Sequence, residues 1–459
     1  MRHLLLALVL ILVACGEDQV QQTTTTSTSP VTVSSPSPTA TTVEIPLVID
    51  DCSAPQIGFA PLCEVYELAQ EWHVDRPIDP AALADAALDG LRTFTVETTE
   101  NPPRTIFCAV PDPAFAPVCE ALKVLVERES APIGAVMEAA VLSMAGTGLG
   151  QFSYYVPPEL VGSFRNNGVV GGLGVLLDAR DAAGSKCVRI TSSCPLEIVF
   201  VLEDNAGAEA GLEAGDRIVE VDEEPVDGLG FVDTATRLAG DETGEVAVQV
   251  EREGQTLDFV IERATLTVPT VEIDVPRDGV GYIRIPDFEF DMPDLVREGL
   301  TELTREPIDR VVVDLRDNPG GYLQSAIDVA TEFISGGVVV STSGPTDSFD
   351  YEAGEDGLVT DIEIVVLVNA GTASAAEILA TALRDRRGAV IVGEPTFGKD
   401  AVQIAFDLDN GGEFNVAIAR WFSPEGATVA GTGLVPDRVT ELPPTMARTD
   451  LVDVAVGES

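Results

Sequence analysis

Histidine and lysine are scarce in this chain of 459 residues, although both commonly carry acid–base chemistry. The 27 cationic residues include only three lysines, Lys123, Lys186 and Lys399, and there are two histidines. His3 lies in an apolar N-terminal segment, which leaves His73 alone and far in sequence from every glycine-rich turn. These absences disfavour a Ser-His-Asp triad and a His-ligated zinc site. We expect His73 to be a surface or packing residue.

Positive charge is scarce as well. The 27 Lys and Arg stand against 76 Asp and Glu, which gives a formal net charge of -49 at pH 7. Such a chain repels nucleic acid and anionic lipid head groups. We interpret the excess as a solvated acidic surface rather than an acidic docking face. The length allows roughly two or three domains, and the hydrophobic content of 45% is typical of a globular protein.

Long apolar runs are also absent, since the longest, residues 4–13, is too short to span a bilayer as a stable helix. It follows Arg2 and is typical of a signal peptide over residues 1–14. The sequence Leu12-Val-Ala-Cys-Gly16 resembles the lipobox of bacterial lipoproteins, which predicts lipidation of Cys15 and a lipid anchor in the membrane. The alternative is an ordinary signal peptide with a chance cysteine.

Six further cysteines form three close pairs along the chain. An even number in an exported protein indicates disulfides, here local ones. Zinc is the competing interpretation, but it requires nearby histidine or CxxC spacing, and neither is present. The residues are Cys52, Cys63, Cys108, Cys119, Cys187 and Cys194.

The remaining pattern predicts five segments after the signal peptide. Residues 15–45 contain a Thr/Ser/Pro-rich tether, residues 46–165 are largely helical, and residues 166–263 are short strands with turns. Strands and helices alternate in residues 264–442, which predicts an α/β core, and residues 443–459 form a C-terminal tail. Within the core we expect strands over 280–285, 310–315, 364–368, 389–392 and 414–419, and helices over 324–334 and 375–387.

A serine and a lysine lie on glycine-rich turns of this α/β core. Ser374 follows the strand predicted over 364–368 and precedes a helix, whose first N–H groups could hold an oxyanion. Lys399 follows the strand predicted over 389–392, and a desolvated lysine can lose its proton and activate a serine, which arginine cannot do. The competing interpretations are a capping box between Ser374 and Glu377 and an exposed lysine. A third turn, residues 314–322, ends in paired glycines, which let a substrate approach the backbone or simply make a turn.

The three turns together resemble the carboxyl-terminal processing, or tail-specific, proteases. The matching motifs are DLRDNPGG at 314–321, TASAAEI at 372–378 and TFGKDAVQ at 396–403, and residues 205–222 resemble part of that family's PDZ domain. The resemblance covers roughly residues 165–440. It implies an α/β fold with a crotonase/ClpP-like protease core, an inserted PDZ domain at 166–263 and an N-terminal helical region.

The resemblance also implies the roles of individual residues in a serine endopeptidase without cofactor or metal. Ser374 would be the nucleophile, Lys399 the general base and Gln403 the residue that orients the lysine. The oxyanion hole would use the backbone N–H of Ala375 and that of Gly320 or Gly321.

Substrate choice is implied by the PDZ resemblance. A loop would bind the terminal carboxylate of a substrate through its backbone N–H groups, and the tail would add as a strand to the sheet edge. This predicts protein partners with free, apolar C-termini, met in the bacterial cell envelope outside the cytoplasmic membrane. The loop consists of Gly172, Leu173, Gly174 and Val175.

The sequence departs from the family at three places. Asp400 stands where the family usually has glycine, and we expect its carboxylate to point to solvent because it would otherwise hinder a neutral Lys399. Residues 149–152 replace the family's Asp-Pro-His element, and an insert at 178–195 follows the carboxylate loop. The alternative functions are a catalytically inactive PDZ adaptor that binds C-termini and a crotonase-like acyl-binding enzyme. Asp400 favours the adaptor, and the PDZ module and the retained lysine disfavour the acyl-binding enzyme.

Overall fold

The computed structural model describes most of the chain from residue 59 onwards. The described residues are 59–94, 110–128, 131–158, 161, 169–170, 173–179, 190–201, 205–230, 234–235, 237–238, 244–252, 254–263, 270–443 and 446–457. The predicted signal peptide, the tether and Cys15 lie outside them, as do Gly172, Cys52, Cys108 and Cys187.

Four helices and a short strand form the first part of the described chain. Asp79 caps the N-terminus of helix α2: its carboxylate accepts the Ala81 N–H at 3.0 Å, and a proline occupies the first helical position. Helices α2 and α4 pack closely because Gly90 has no side chain; a Cβ there would lie 2.3 Å from the Ala139 carbonyl oxygen. The elements are α1 (Ala60–Trp72), α2 (Pro80–Thr93), α3 (Ala116–Lys123), α4 (Ile133–Gly148) and β1 (Tyr154–Val156).

Three of the six paired cysteines lie among the described residues. Cys63, Cys119 and Cys194 are buried and disulfide-bonded. The partner that the sequence predicts for each of them lies outside the described residues, so the pairing stays a prediction.

A seven-stranded antiparallel sheet follows, in the order β2-β3-β4-β5-β7-β8 with β6 paired to β5. Strands β7 and β8 form a hairpin and pair along their whole length. The elements are β2 (Val169–Val170), β3 (Val175–Ala179), β4 (Leu196–Val201), α5 (Ala206–Ala210), β5 (Arg217–Val221), β6 (Glu224–Pro225), β7 (Gly244–Arg252) and β8 (Gln255–Arg263).

Two further sheets build the α/β core. One has the order β18-β15-β14-β11-β10-β9 and is parallel except for β9; the other has the order β1-β17-β12-β13 with β16 paired to β17. The strands are β9 (Glu272–Arg277), β10 (Val280–Arg284), β11 (Arg310–Asp314), β12 (Val338–Ser343), β13 (Ser348–Glu352), β14 (Glu363–Val368), β15 (Val390–Gly393), β16 (Ala401–Asp407), β17 (Glu413–Phe422) and β18 (Arg438–Val439). The helices are α6 (Met292–Leu303), α7 (Leu323–Phe333), α8 (Ala375–Arg387) and α9 (Arg448–Val456).

The core strands alternate between two apolar layers, as side chains in a strand must. Val311 and Val313 pack with helices α6 to α8 and with residues of β12 and β17, whereas Val312 packs with Val452 of α9 on the opposite face. Helix α9 lies within residues 443–459, for which the sequence predicts a C-terminal tail. Residues 448–456 form a helix because their apolar side chains cover the second face of the sheet.

The helical region packs against the same sheet that carries β16 and β17. Its core joins that of Phe414 and Val416, and the Val74 N–H donates to the Ala417 carbonyl at 2.7 Å. His73 lies at this junction and is 3% exposed, so the packing interpretation is confirmed. Among the described residues, no helix combines the length and apolar content that crossing a bilayer requires.

Burial disfavours the charged form of the His73 imidazole, and two hydrogen bonds fix the orientation of the ring. Nε2 lies 3.1 Å from the Leu149 carbonyl oxygen, to which it donates, while Nδ1 accepts the Asp75 N–H at 3.1 Å. Protonation of Nδ1 would break the second bond, and burial lowers the pKa of His73 from its ordinary 6.5. The folded state thus binds a proton at His73 less readily than the unfolded chain.

We predict that His73 makes the fold less stable as the pH falls below about 6.5, because the unfolded chain then gains a proton that the folded chain resists. Urea unfolding at pH 7.5 and pH 5.5 measures the loss. The loss should be smaller in His73→Gln, which has no imidazole to titrate. An equal loss in both proteins would contradict the prediction.

Candidate active site

Three loops that carry the sequence motifs leave one edge of the six-stranded sheet. Strands β11, β14 and β15 are parallel neighbours, and residues 314–322, 369–374 and 394–400 follow their carboxyl ends. Loops at the carboxyl ends of adjacent parallel strands converge, and this edge is where ligands bind in open α/β sheets. The sheet order brings together motifs that lie up to 80 residues apart.

Ser374 has a backbone conformation that side chains rarely adopt. Its φ is 54° and its ψ is -116°, and the next residue begins helix α8. A non-glycine residue in such a region stores roughly 1–3 kcal/mol of strain, which persists only where the surroundings enforce it and is common in active sites. An ordinary N-cap residue adopts the β region instead.

Helix α8 fixes the direction of this turn because it is buried on all sides. Its first nine residues, Ala375 to Leu383, are all inaccessible to solvent or nearly so. Most of these nine residues are small or apolar, which suits the layer between two sheets. The N–H of Ala375, as the first in the helix, has no carbonyl of a preceding turn to bond to.

The buried carboxylate of Glu377 joins the serine loop to the lysine loop. Its Oε2 accepts the Ser374 N–H at 2.8 Å and the Lys399 N–H at 3.0 Å. Its Oε1 accepts the Gly398 N–H at 2.8 Å and the hydroxyl of Thr396. Four donors thus satisfy a carboxylate with no solvent exposure, which would otherwise be costly to bury. The bond with Ser374 is the glutamate half of the predicted capping box, but the glutamate does more than cap the helix.

Lys399 is half-buried and its backbone is fixed from two sides. While its N–H binds Glu377, its carbonyl oxygen accepts the indole Nε1–H of Trp421 at 2.9 Å. Trp421 is almost fully buried on β17, and its own N–H donates to the Asp400 carbonyl at 2.8 Å. The lysine therefore lies between helix α8 and the second sheet.

Gln403 lies on β16, and Lys399 precedes the start of this strand. Its Nε2 donates to the Phe152 carbonyl at 2.6 Å, and the register of β16 against β17 shifts between Val402 and Gln403. Such bulges redirect side chains and are frequent next to active sites. Phe152 belongs to the segment that replaces the family's Asp-Pro-His element, so this segment contacts the candidate site.

The two glycines of the third loop have different surroundings. A Cβ on Gly320 would lie 2.8 Å from the Ser374 Cβ and 2.9 Å from the Ala375 nitrogen, whereas one on Gly321 would collide with Phe288. Only glycine allows this close approach, with φ of 102° at Gly320. In this structure the Gly320 N–H donates to the Asn318 side chain at 2.8 Å.

A buried ion pair holds the start of the same loop. The carboxylate of Asp314 accepts Arg316 Nε at 2.9 Å and Nη2 at 2.7 Å, and it accepts the Tyr282 hydroxyl at 2.7 Å. Burial and the charge of Asp314 raise the pKa of Tyr282, which keeps the phenol a donor. Asn369 binds Asp317 reciprocally at 2.9 and 2.8 Å, which ties this loop to the serine loop.

The expectation that Asp400 points to solvent is wrong. Asp400 is 3% exposed, and its carboxylate lies 3.5 Å from Nη1 of Arg420 on β17. The side chain turns inward because a cation on the neighbouring strand meets it there. The sequence alone does not show which strands pair, so it did not reveal Arg420 as the partner of Asp400.

The predicted carboxylate loop belongs to a different sheet from the one that carries the three motif loops. Leu173, Gly174 and Val175 are buried in the seven-stranded sheet, which carries none of the three motifs. The Gly207 N–H donates to the Leu173 carbonyl at 2.7 Å, and a Cβ on Gly174 would lie 2.4 Å from that of Asn205. The loop is thus fitted closely against the start of α5.

Three exposed aromatic side chains beside the motifs were missed in the sequence. Phe290 and Tyr322 stack with centroids 3.8 Å apart and are 76% and 44% exposed, and Tyr322 directly follows the paired glycines. Phe397, which is 59% exposed, precedes Gly398 and Lys399. Position was the available signal for Tyr322 and Phe397, which lie in motif loops, whereas only the fold brings Phe290 to Tyr322. Among the described residues there is no cluster of three or more His, Cys, Asp or Glu that could hold a metal ion.

Comparisons with known proteins show the family to which the chain belongs. The model of peptidase family S41 matches residues 279–440. A carboxyl-terminal-processing protease of Synechocystis is 33% identical over 303 residues, which are 64% of this chain and 68% of that protein. The chain belongs to the carboxyl-terminal-processing protease family.

Another member, from Bartonella bacilliformis, is 32% identical over 272 residues, or 58% of this chain and 62% of that protein. The chain thus spans about two thirds of the length of these relatives. The solved structure of a photosystem II D1 C-terminal processing protease superposes with a TM-score of 0.60 and 23% identity. The superposition covers 87% of this chain and 97% of that one. The mixed α/β fold is therefore that of this peptidase family.

We predict that Glu377→Gln lowers the free energy of unfolding by about 2–4 kcal/mol. A carboxamide presents only one acceptor oxygen, so the N–H groups that share the other oxygen lose their acceptor while buried. Urea unfolding measures the change, with the exposed Glu355→Gln as a control that should stay within about 0.5 kcal/mol of wild type. Equal stability of both variants would show that the carboxylate does not hold the loops together.

Proposed function

We propose that the protein is a serine endopeptidase in which Ser374 attacks the peptide carbonyl and Lys399 takes its proton. The observation that carries the proposal is the strained Ser374 at the start of α8, whose N–H shares one carboxylate oxygen with the N–H of Lys399. A carboxylate that positions both loops is more than a helix cap requires. Both ring nitrogens of His73 are engaged, one with the Leu149 carbonyl and one with the Asp75 N–H, so among the described residues Lys399 is the base that the site offers.

In this mechanism a neutral Lys399 accepts the hydroxyl proton of Ser374 as the Ser–carbonyl bond forms. It then donates the proton to the leaving amine, and water hydrolyses the acyl-enzyme with the same lysine as base. Gln403 would orient the lysine. Because its Nε2 is bound to Phe152, Oε1 is the atom that would accept a hydrogen bond from Nζ.

The oxyanion would be held by the N–H groups of Ala375 and of Gly320 or Gly321. Gly320 lies against the nucleophile, but its N–H is bonded to Asn318 and would donate to an oxyanion only after that bond opens. Gly321 forms an isolated β-bridge with Phe288. The two hydrogen bonds of this bridge use the Gly320 carbonyl and the Tyr322 N–H, so the Gly321 N–H takes no part in it.

For substrate choice, we propose that the seven-stranded sheet is a PDZ domain that binds free C-termini. Its loop at residues 172–175 would bind the carboxylate, and the tail would pair with β3. The described edge offers Leu177 to Ala179, because β2 already pairs with Val175 and Leu176. Beside the motifs, the aromatic side chains of Phe290, Tyr322 and Phe397 offer apolar contacts for the substrate near the scissile bond.

The proposal is tested by cleavage of an unstructured protein with an apolar C-terminus. Ser374→Ala and Lys399→Arg should each reduce kcat/KM by roughly 10³-fold or more, the first for want of a nucleophile and the second because arginine keeps its proton. Lys123→Arg is the matched control and should cleave like wild type. Undiminished cleavage by Lys399→Arg would overturn the assignment of Lys399 as the base. Binding without cleavage by the wild-type protein would favour the alternative of an inactive PDZ adaptor.

Tail recognition is measured separately, by fluorescence anisotropy of a labelled apolar peptide. Amidation of its C-terminus should weaken binding at least about 10-fold, since the loop then meets no carboxylate. Gly174→Ala should weaken it similarly through its collision with Asn205, whereas Gly215→Ala, equally left-handed but in open space, should not. If the amidated and free peptides bind alike, the PDZ proposal is wrong.

Location in the bacterial envelope through a lipid on Cys15 is also part of the proposal. It depends on the lipobox resemblance. Incorporation of a radioactive fatty acid by the intact chain, lost in Cys15→Ser, is the expected result. Labelling that survives the substitution would exclude this anchor.

A further inference from the structure

A charged chain runs from the lysine loop to the helical region. Arg420 contacts the Asp400 carboxylate at 3.5 Å through Nη1, and its Nη2 binds both oxygens of Asp75 at 3.0 and 2.8 Å. Asp400 is buried, whereas the side chains of Arg420 and Asp75 are 39% and 58% exposed. Of these three charged side chains, only Asp400 is removed from solvent.

Asp400 is joined to the proposed base by a single peptide bond and has almost no contact with water. A buried carboxylate favours a protonated lysine nearby, which works against a lysine that has to be neutral to take a proton. The usual family residue at this position is glycine, which brings no charge. This chain must therefore compensate the carboxylate, and the described side chain that does so is Arg420.

We propose that Arg420 is a positioning residue that neutralises Asp400 beside Lys399, so that the lysine can act as a base despite this carboxylate. The inference rests on the proposed function of Lys399. The pKa of Arg420 is raised, mainly by its hydrogen bond with Asp75 and further by Asp400, so the compensating charge is permanent.

Several charged or titratable groups face this part of the site from the elements packed around it. Glu377 on α8 binds the Lys399 N–H, Arg420 on β17 binds Asp400, and Asp75 after α1 binds Arg420. His73 interacts electrostatically with Asp75 and Arg420. Of these, only Arg420 is a cation in direct contact with Asp400.

A consequence is that the helical region takes part in the electrostatics of the site. Both carboxylate oxygens of Asp75 accept from Nη2 of Arg420. Asp75 follows His73, which bonds to the helical region, and Val74, which bonds to β17. Loss of Asp75 frees the outer side of Arg420 but leaves its contact with Asp400 in place. The effect of Asp75→Asn should therefore be smaller than that of Arg420→Gln.

The test uses the fact that the full-length chain has three lysines. With [ε-13C]lysine incorporated, the titration of each lysine is followed by NMR, and Lys→Arg variants assign the signals. Arg420→Gln should move the midpoint of Lys399 upward by about one pH unit. Lys123, which pairs with Glu120 on α3, is the internal control and should not move.

A double variant separates this role from a merely structural one. Arg420→Gln with Asp400→Asn should bring the Lys399 midpoint back to the wild-type value, because the uncompensated carboxylate is then gone. Asp400→Asn alone removes the carboxylate but leaves the charge of Arg420 in place, so it should lower the midpoint of Lys399. An unchanged midpoint in Arg420→Gln, a failure of the double variant to restore it, or no fall in Asp400→Asn would each overturn the inference.

Cleavage gives a second readout. The acidic limb of the kcat/KM profile should move with the NMR midpoint in each variant. An equal loss of kcat/KM at every pH, with an unmoved limb, would mark Arg420 as structural and overturn the inference. Because the NMR titration needs no turnover, it decides the role of Arg420 even if the wild-type chain proves not to be a protease.

Discussion

The arrangement of the candidate site depends on one buried carboxylate. Glu377 receives N–H groups from the serine loop and the lysine loop on the same oxygen, and it does so from inside the first turn of a buried helix. An unpaired carboxylate in that position would be costly. Through this shared oxygen, Glu377 couples the position of the serine loop to that of the lysine loop.

The parallel sheet supplies the frame in which this contact can form. β11, β14 and β15 are adjacent and end at the same edge, so the three motif loops emerge side by side. Helix α8 begins at this edge and is enclosed by apolar layers, which prevents the strained Ser374 turn from relaxing. The strain is held by the packing of the helix rather than by the serine itself.

The helical region is not a separate appendage of the core. Phe152 binds Gln403, Asp75 binds Arg420, and Val74 binds β17, so three contacts from this region reach the strands next to the lysine. All three contacts come from residues outside the part of the chain, roughly 165–440, that resembles the family. On the other side of this junction, Asp400 stands where the family usually has glycine and is buried against Arg420.

Much of this protein was determined by the sequence alone. Apolar periodicity predicted five core strands and two core helices with bounds within one to three residues of those observed, because these segments are buried and their side chains alternate or repeat accordingly. The three motifs identified the family and the candidate nucleophile and base. Strands β12, β13 and β16 were missed because polar residues interrupt their apolar patterns, and the final helix was missed because its 9 residues are too few to show a clear helical period.

Only the tertiary structure decided which groups surround the candidate pair. Glu377 reads as a helix cap in the sequence, and its contacts with residues 396–399 come from the neighbouring strand order. The direction of Asp400 was predicted wrongly because its partner Arg420 is 20 residues away on a strand whose pairing the sequence does not reveal. Local pattern fixes secondary structure, but the partner of a buried charge is a property of the assembled fold.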